Sequence, residues 1–307
     1  MDTFLQQIIN GLVQGAIYAL VALGYTMVYG IMGLINFAHG EVVMLGTLIA
    51  ITSITFLIKA GIAVPLAALI GISLSVLACM ALGWSLERIA YRPLRHAPRL
   101  TPLITAIGMS IVLQNLAMMI WGRNYMIFPP LIEKTQFEVA GASFTNVQVI
   151  IVTVAALAMG GLLWLVYRTR LGMAMRATAQ NPAVAGLMGV NANRVIASAF
   201  VIGSALGAVA GVMVGSYYEI AHYQMGFMLG LKAFTAAVLG GIGNLAGAMA
   251  GGVLLGLIEA LGAGYIGDLT GGFLGSHYQD IFAFIVLIFV LMFRPSGLFG
   301  EKTGDRA

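Results

Sequence analysis

Charge is what this chain has least of. Of its 307 residues only 8% are Asp, Glu, Lys or Arg, while 60% are hydrophobic and the mean hydropathy is +0.98. Soluble domains carry about 25% charge, so a water-facing globule of this size is excluded. The four lysines are Lys59, Lys134, Lys232 and Lys302, and none sits in a Gly-x-x-x-x-Gly-Lys-Ser/Thr phosphate loop. Neither a His-Glu-x-x-His helix nor a Gly-x-Ser-x-Gly elbow occurs, so no enzyme is expected. The single cysteine, Cys79, excludes an internal disulfide and a thiolate metal site. His39 and Glu41, the nearest approach to a metal pair, stand at i and i+2 and share no helix face. No metal and no cofactor is expected. The start, Met1-Asp2-Thr3, has no cationic region and no cleavage site follows, so the first apolar segment is expected to be retained.

What is there is apolar length. The alternation of an outer-membrane barrel is absent, and the runs suit membrane-spanning helices. Spans are predicted at about residues 8–29, 42–58, 64–86, 101–121, 147–167, 195–218 and 279–293. Residues 229–264 are too long for one span and are interrupted at Gly240-Gly-Ile-Gly-Asn244. Pieces at 229–240 and 245–264 are predicted there, a broken or re-entrant region of the kind that lines a path. The fold class is thus an all-α polytopic membrane protein, one transmembrane domain over residues 1–307, with eight or nine crossings in contact with lipid.

The basic residues give orientation. Their excess, a net charge of +4 with pI about 9.3, lies at the ends of apolar runs, so nucleic acid is not the expected partner. Residues 87–99 carry Arg88, Arg92, Arg95 and Arg99 against Glu87, and residues 168–194 carry Arg168, Arg170, Arg176 and Arg194 with no acid. Both loops are placed in the cytoplasm, together with the tail holding Arg294, Lys302 and Arg306. Residues 122–146, of balanced charge around Pro129-Pro130, and residues 267–280, with Asp268, His277 and Asp280, are placed outside. Nine crossings put the N-terminus outside. Within the second basic loop, Asn181 and Pro182 read as the N-cap and first position of a short helix, something for a soluble partner to grip.

Glycine is abundant, 40 residues in all. Gly203, Gly207, Gly211 and Gly215 recur every four residues, a small-residue stripe for close helix packing. Gly243, Gly247 and Gly251, then Gly252 and Gly256, repeat the pattern. The ionisable groups near membrane depth are His39, Glu41, Glu219, Lys232 and Glu259, and such groups face a protein-lined or watery interior. Glu41 has an alternative place at the cytoplasmic interface, and Glu219 sits at the outer end of its span. Lys232 and Glu259 are candidate partners across the broken region. Asn36 and Asn244 flank helix breaks, where each either bonds a polar solute or caps a helix end. A secondary transporter using Glu41, Glu219 or Glu259 as an ion relay is the competing class, and a membrane scaffold the third.

Four segments carry a resemblance: Leu34-Ile-Asn-Phe-Ala-His-Gly-Glu41, Tyr91-Arg-Pro-Leu-Arg95, Ile104-Thr-Ala-Ile-Gly-Met-Ser110 and Lys232-Ala-Phe-Thr-Ala-Ala-Val-Leu-Gly-Gly-Ile-Gly-Asn244. They resemble the branched-chain amino-acid ABC importer permeases of the LivH type, and the likeness runs to Arg294-Pro-Ser-Gly-Leu-Phe-Gly300. The resemblance implies a bacterial inner-membrane permease paired with a second, homologous permease subunit. Two cytoplasmic ATPase subunits would drive it, and a periplasmic binding protein would deliver leucine, isoleucine or valine and set most of the specificity. It also implies that Asn181–Val190 is the coupling helix that docks on the ATPase, through Asn181, Pro182, Ala183, Val184, Ala185, Gly186, Leu187, Met188 and Gly189. The Glu-Ala-Ala signature of many importer permeases is absent there.

Overall fold

The computed structural model describes residues 2–300 except 96, 99, 140 and 270–278. Eleven helices follow one another among these residues. They are α1 (Asp2–Met32), α2 (His39–Lys59), α3 (Val64–Leu86), α4 (Leu100–Trp121), α5 (Asn146–Arg168), α6 (Arg170–Gln180), α7 (Pro182–Leu187), α8 (Ala192–Tyr218), α9 (Met225–Gly240), α10 (Leu245–Leu269) and α11 (Gln279–Phe293). Seven of the described helices are long and apolar enough to cross a membrane, and α9 and part of α11 are shorter apolar helices. The polytopic all-helical expectation therefore stands in outline.

Local signals explain most boundaries. Thr145 caps α5 in a reciprocal box with Gln148, Asn191 caps α8 by accepting from the Arg194 amide, and Pro65 sits in the first turn of α3. The chain departs from expectation in three places. The first helix runs well beyond residues 8–29 at both ends, because Gln6, Gln7, Asn10 and Gln14 continue its first turns. The first basic loop is not open: one π turn (Glu87–Tyr91) and one 3-10 turn (Arg92–Leu94) prolong α3. Four short strands, unforeseen, close two small ladders: β1 (Met126–Ile127) on β4 (Ile220–Ala221), and β2 (Gln136–Val139) on β3 (Ala142–Thr145). The expected outer loop at 267–280 lies largely outside the described residues, as do Lys302 and Arg306 in the tail.

Helices α1, α2, α8, α9 and α10 form the interior, and α3, α4 and α5 flank it with apolar side chains such as Leu77, Met119 and Leu157 exposed. The interior is drawn together by glycines. A methyl placed on Gly15 of α1 would lie 2.7 Å from the Val253 Cα of α10, and one on Gly11 would lie 2.8 Å from the Leu257 Cα. Gly252 and Gly256 face back, against Ala19 and Gly15. The α8 stripe packs on two helices at once: Gly203 on Gly24 of α1, then Gly207, Gly211 and Gly215 on His39, Val43 and Thr47 of α2. Thr47 seals that contact, its hydroxyl donating to Gly211 O at 2.8 Å.

One glycine leaves the expected stripe. Gly243 is not on a helix face but in the turn between α9 and α10, at φ +97°, with Gly241 at +108° beside it. These left-handed values suit glycine and make the break at Gly240–Asn244. Gly247 and Gly251 do pack, against Gly240 and Ala236 of α9.

The two ends of the bundle differ. Gln6 near the start of α1 bonds Ser143 of β3, and β1–β4 closes the far end of α8. At the other end Gly30 of α1 meets Gly243, and the chain at Leu298 and Phe299 donates to Leu239 O and Gly240 O of α9, both at 2.9 Å.

Close backbone approach makes a sharp contrast testable. Gly256→Ala pushes a methyl into the Gly15 backbone and is expected to cost about 1–3 kcal/mol. Gly160→Ala in α5 meets nothing within 4 Å and is expected to stabilise by about 0.5–1 kcal/mol. Thermal melting of the detergent-purified chain reads both; equal shifts in one direction contradict this packing.

Candidate functional site

Two charges meet in the middle of the helix packing. Lys232, on the third turn of α9, projects toward α10, where Glu259 is fully buried; the ammonium lies 3.2 Å from Glu259 Oε2. Tyr18 of α1 completes the group. Its hydroxyl donates to Glu259 Oε2 at 2.7 Å and accepts from Lys232 at 3.4 Å, and the ammonium stands 5.7 Å from the ring centroid. Three interior helices are thus tied by one cation, one anion and one hydroxyl. In a medium of low dielectric such a pair is strong only while both members remain.

Two hollows flank this group along α1 and α9. Toward the β1–β4 end lies a cavity of about 270 Å³ with Tyr18 and Lys232 in its wall. At the opposite end an open cleft of about 1450 Å³ is lined by Tyr29, Tyr167, Pro182, Asn244 and Arg294, among others. Between them in chain order come Tyr25 on α1 and Phe234 on α9, with ring centroids 6.3 Å apart; Phe37 packs on Phe234 at 5.6 Å.

The polar knot at residues 36–41 lies inside the protein. Asn36, His39 and Glu41 are all buried, so Glu41 packs against protein. Its Oε1 accepts from Ser110 of α4 at 3.0 Å, and its other oxygen faces Gly226 of α9. His39 turns the other way, into a slot left by Gly24 and Gly207, edge-on to Tyr25 at 5.0 Å. Asn36 does not cap α2, whose N-terminus has no side-chain cap; its carbonyl accepts from the Tyr91 hydroxyl at 2.6 Å. Tethering a loop to α3 took precedence over capping. Asn244 does cap, accepting from the Gly247 amide at 3.0 Å while its amide donates to Phe299 O. Glu219 is remote from all of these, an exposed left-handed residue ending α8 and paired with Lys134.

The basic loop 168–194 is an arm of two helices. Asn181 caps α7 through the amides of Ala183 and Val184, with Pro182 in its first turn. The helix α6 before it was not foreseen; Thr169 caps it through the Gly172 amide. On α7, Ala185 is buried while Val184, Leu187 and Met188 are exposed, Leu187 by 87%. Gly186 has open space around it, and Gly189 takes φ +83° just beyond the helix. Beside the arm, the fully buried Glu87 accepts from Arg92 at 2.7 Å and from Arg95, which also reaches Asn193 at the start of α8. Burial lowers the Arg95 guanidinium pKa and the Glu87 charge opposes this.

Sequence reasoning missed Tyr18, Ser110 and Phe234, uncharged residues in apolar runs, and Tyr91, an uncharged residue within the first basic loop. Glu87 had a signal, as the only acid among four arginines.

Residues 7–291 match the family described as branched-chain amino acid transport system / permease component. The chain is 48% identical to the high-affinity branched-chain amino acid transport system permease protein BraD of Pseudomonas aeruginosa, over 99% of this chain and 98% of that one. It is 46% identical to the corresponding LivH protein of Escherichia coli, over 99% and 97%. A probable branched-chain amino acid transport permease of Methanocaldococcus jannaschii is 26% identical over 95% and 91%.

The buried pair has a signature in stability. Glu259→Leu alone strands the Lys232 charge and is expected to cost about 3–5 kcal/mol. Adding Lys232→Met should return most of that loss, measured by denaturation of the purified chain. A double variant no more stable than Glu259→Leu contradicts the coupling.

Proposed function

The chain belongs to the family of branched-chain amino acid transport permeases, and on that premise we propose that it is the membrane subunit of an ATP-binding-cassette importer carrying leucine, isoleucine and valine across the bacterial inner membrane. The observation that carries this reading is the full-length likeness to permeases of that system. The relatives' shared description does not favour an ion-coupled transporter. A second, homologous permease, two cytoplasmic ATPases and a periplasmic binding protein complete the assembly. The apolar faces of α3, α4 and α5 meet lipid or the second permease.

Nine crossings follow if α9 and α11 each traverse the membrane. At 1.5 Å per residue the 16 residues of α9 span about 24 Å, short of the ~30 Å hydrocarbon thickness. Residues 219–224 supply the rest, leading from the β1–β4 end into the interior. The N-terminus and the β ladders then lie outside, and α6, α7 and the Gly240–Asn244 break lie inside, as the basic residues require.

The chain acts as a gate moved by its partners. The exposed Val184, Leu187 and Met188 of α7 enter a groove on an ATPase, and closure of the ATPase dimer pulls on α6 and on the start of α8. The Glu87–Arg95–Asn193 contact passes that pull to α3. Because α8 packs on α1 and α2 through glycine, it shifts as a rigid body, and Tyr25, Phe234 and Phe37 part or close. ATP and the loaded binding protein bias the two states.

Leu187→Asp and Gly186→Asp test the docking. Both positions are open, so the variants should insert and fold; copurification of the ATPase and ATP-dependent leucine uptake should fall at least tenfold, the loss expected when a charge enters an apolar contact. Normal copurification with both variants contradicts the assignment.

A further inference from the structure

The cavity at the β1–β4 end has one chemistry on its wall and another at its base. Val214, Ile220, Met225, Met228 and Leu229 make an apolar side. Lys232 follows Met225, Met228 and Leu229 along the same face of α9, with Tyr18 of α1 beside it, and the rings of Tyr125, Tyr218 and His222 complete the lining. Of the two charges in the buried pair only the cation lines this space. The Lys232 side chain keeps 13% of its surface exposed and Glu259 keeps none. The space measures about 270 Å³, room for several waters or a small solute.

We infer that this cavity is a binding station within the permease for an aliphatic amino acid zwitterion, with Lys232 receiving the carboxylate and the Met228–Leu229 side receiving the hydrocarbon. The inference rests on the importer reading above. Lys232 is held for this role: Glu259 compensates its charge from behind, and the Tyr18 hydroxyl fixes its direction. The incoming ammonium falls among the aromatic rings, whose faces attract a cation. Charge balance selects the zwitterion. Lys232 and Glu259 sum to zero, and so does the solute, so loading adds no net charge beside the buried pair. An aliphatic amine or carboxylate alone would leave one, at a large desolvation cost. With one ion pair and no dedicated ammonium acceptor, the station binds weakly, as a release site downstream of a binding protein must.

Saturation-transfer NMR on the assembled importer in lipid nanodiscs, without ATP or binding protein, tests this with leucine, isoamylamine and 4-methylpentanoate as probes. The leucine methyl groups should receive saturation and the two singly charged analogues should not compete. Met228→Trp, which fills the cavity, should abolish the signal. Lys232→Met should weaken leucine binding about tenfold, the value of one charged hydrogen bond, and Lys232→Arg should retain it. No contact with the wild type, a signal undiminished in both Met228→Trp and Lys232→Met, or equal competition by isoamylamine overturns the station. ATP-driven leucine uptake by the same importer in proteoliposomes, with binding protein added, separates the two levels: uptake without contact sinks the station alone, and absence of uptake sinks the importer reading with it.

Discussion

Backbone touching backbone is the constraint from which the rest of this structure follows. Where α1 crosses α10, Gly11 and Gly15 meet Gly256 and the chain at Val253 and Leu257 with no room for a methyl group. Lipid offers no hydrophobic gain for helix association, so contact must come from close van der Waals packing. Glycine provides it, at a cost in helix propensity that the packing offsets. The consequence is stiffness. Helices α1, α2, α8 and α10 cannot slide past one another by small side-chain adjustments, so motion must occur as displacement of whole elements.

Polar groups inside such a body need partners, and the sequence distributes them in pairs across helices. Lys232 reaches Glu259 and Tyr18, Glu41 reaches Ser110, and Asn36 reaches Tyr91. Each bond joins elements distant in sequence, so each fixes a register that apolar packing alone would leave loose. The Lys232 group does more than this, because it lies beside the cavity and its cation faces the open side. Further along α1 and α9 the rings of Tyr25 and Phe234 pack together, with Phe37 against Phe234.

Much of this could be read from the residues in advance, and the reasons differ. The α9–α10 break was legible because Gly240-Gly-Ile-Gly-Asn244 has no other use in an apolar run, and α7 because Asn181-Pro182 is a start signal by itself. The four α8 glycines announced a face but not its partner: that Gly207 makes room for the His39 ring depends on where α2 begins. Gly11 and Gly15 went unnoticed, being only two members of a stripe that α10 completes. Strands of two to four residues leave no periodic trace, so the ladders at 126–145 and 220–221 were invisible. Pairing across the fold was guessed only where both partners carried charge, as with Lys232 and Glu259. Tyr18 and Ser110 look like ordinary span residues, and Tyr91 like an ordinary loop residue, until the fold brings an acceptor to them.

The central claim is that α7 faces the cytoplasm as the handle by which an external motor moves the gate. Cys79 is buried, so a cysteine introduced as Met188→Cys on the exposed end of α7 is the reactive thiol to follow. A membrane-impermeant maleimide should label it in inside-out vesicles, not in right-side-out ones, and bound ATPase should protect it. Labelling from the outside, or no protection by the ATPase, would contradict the account.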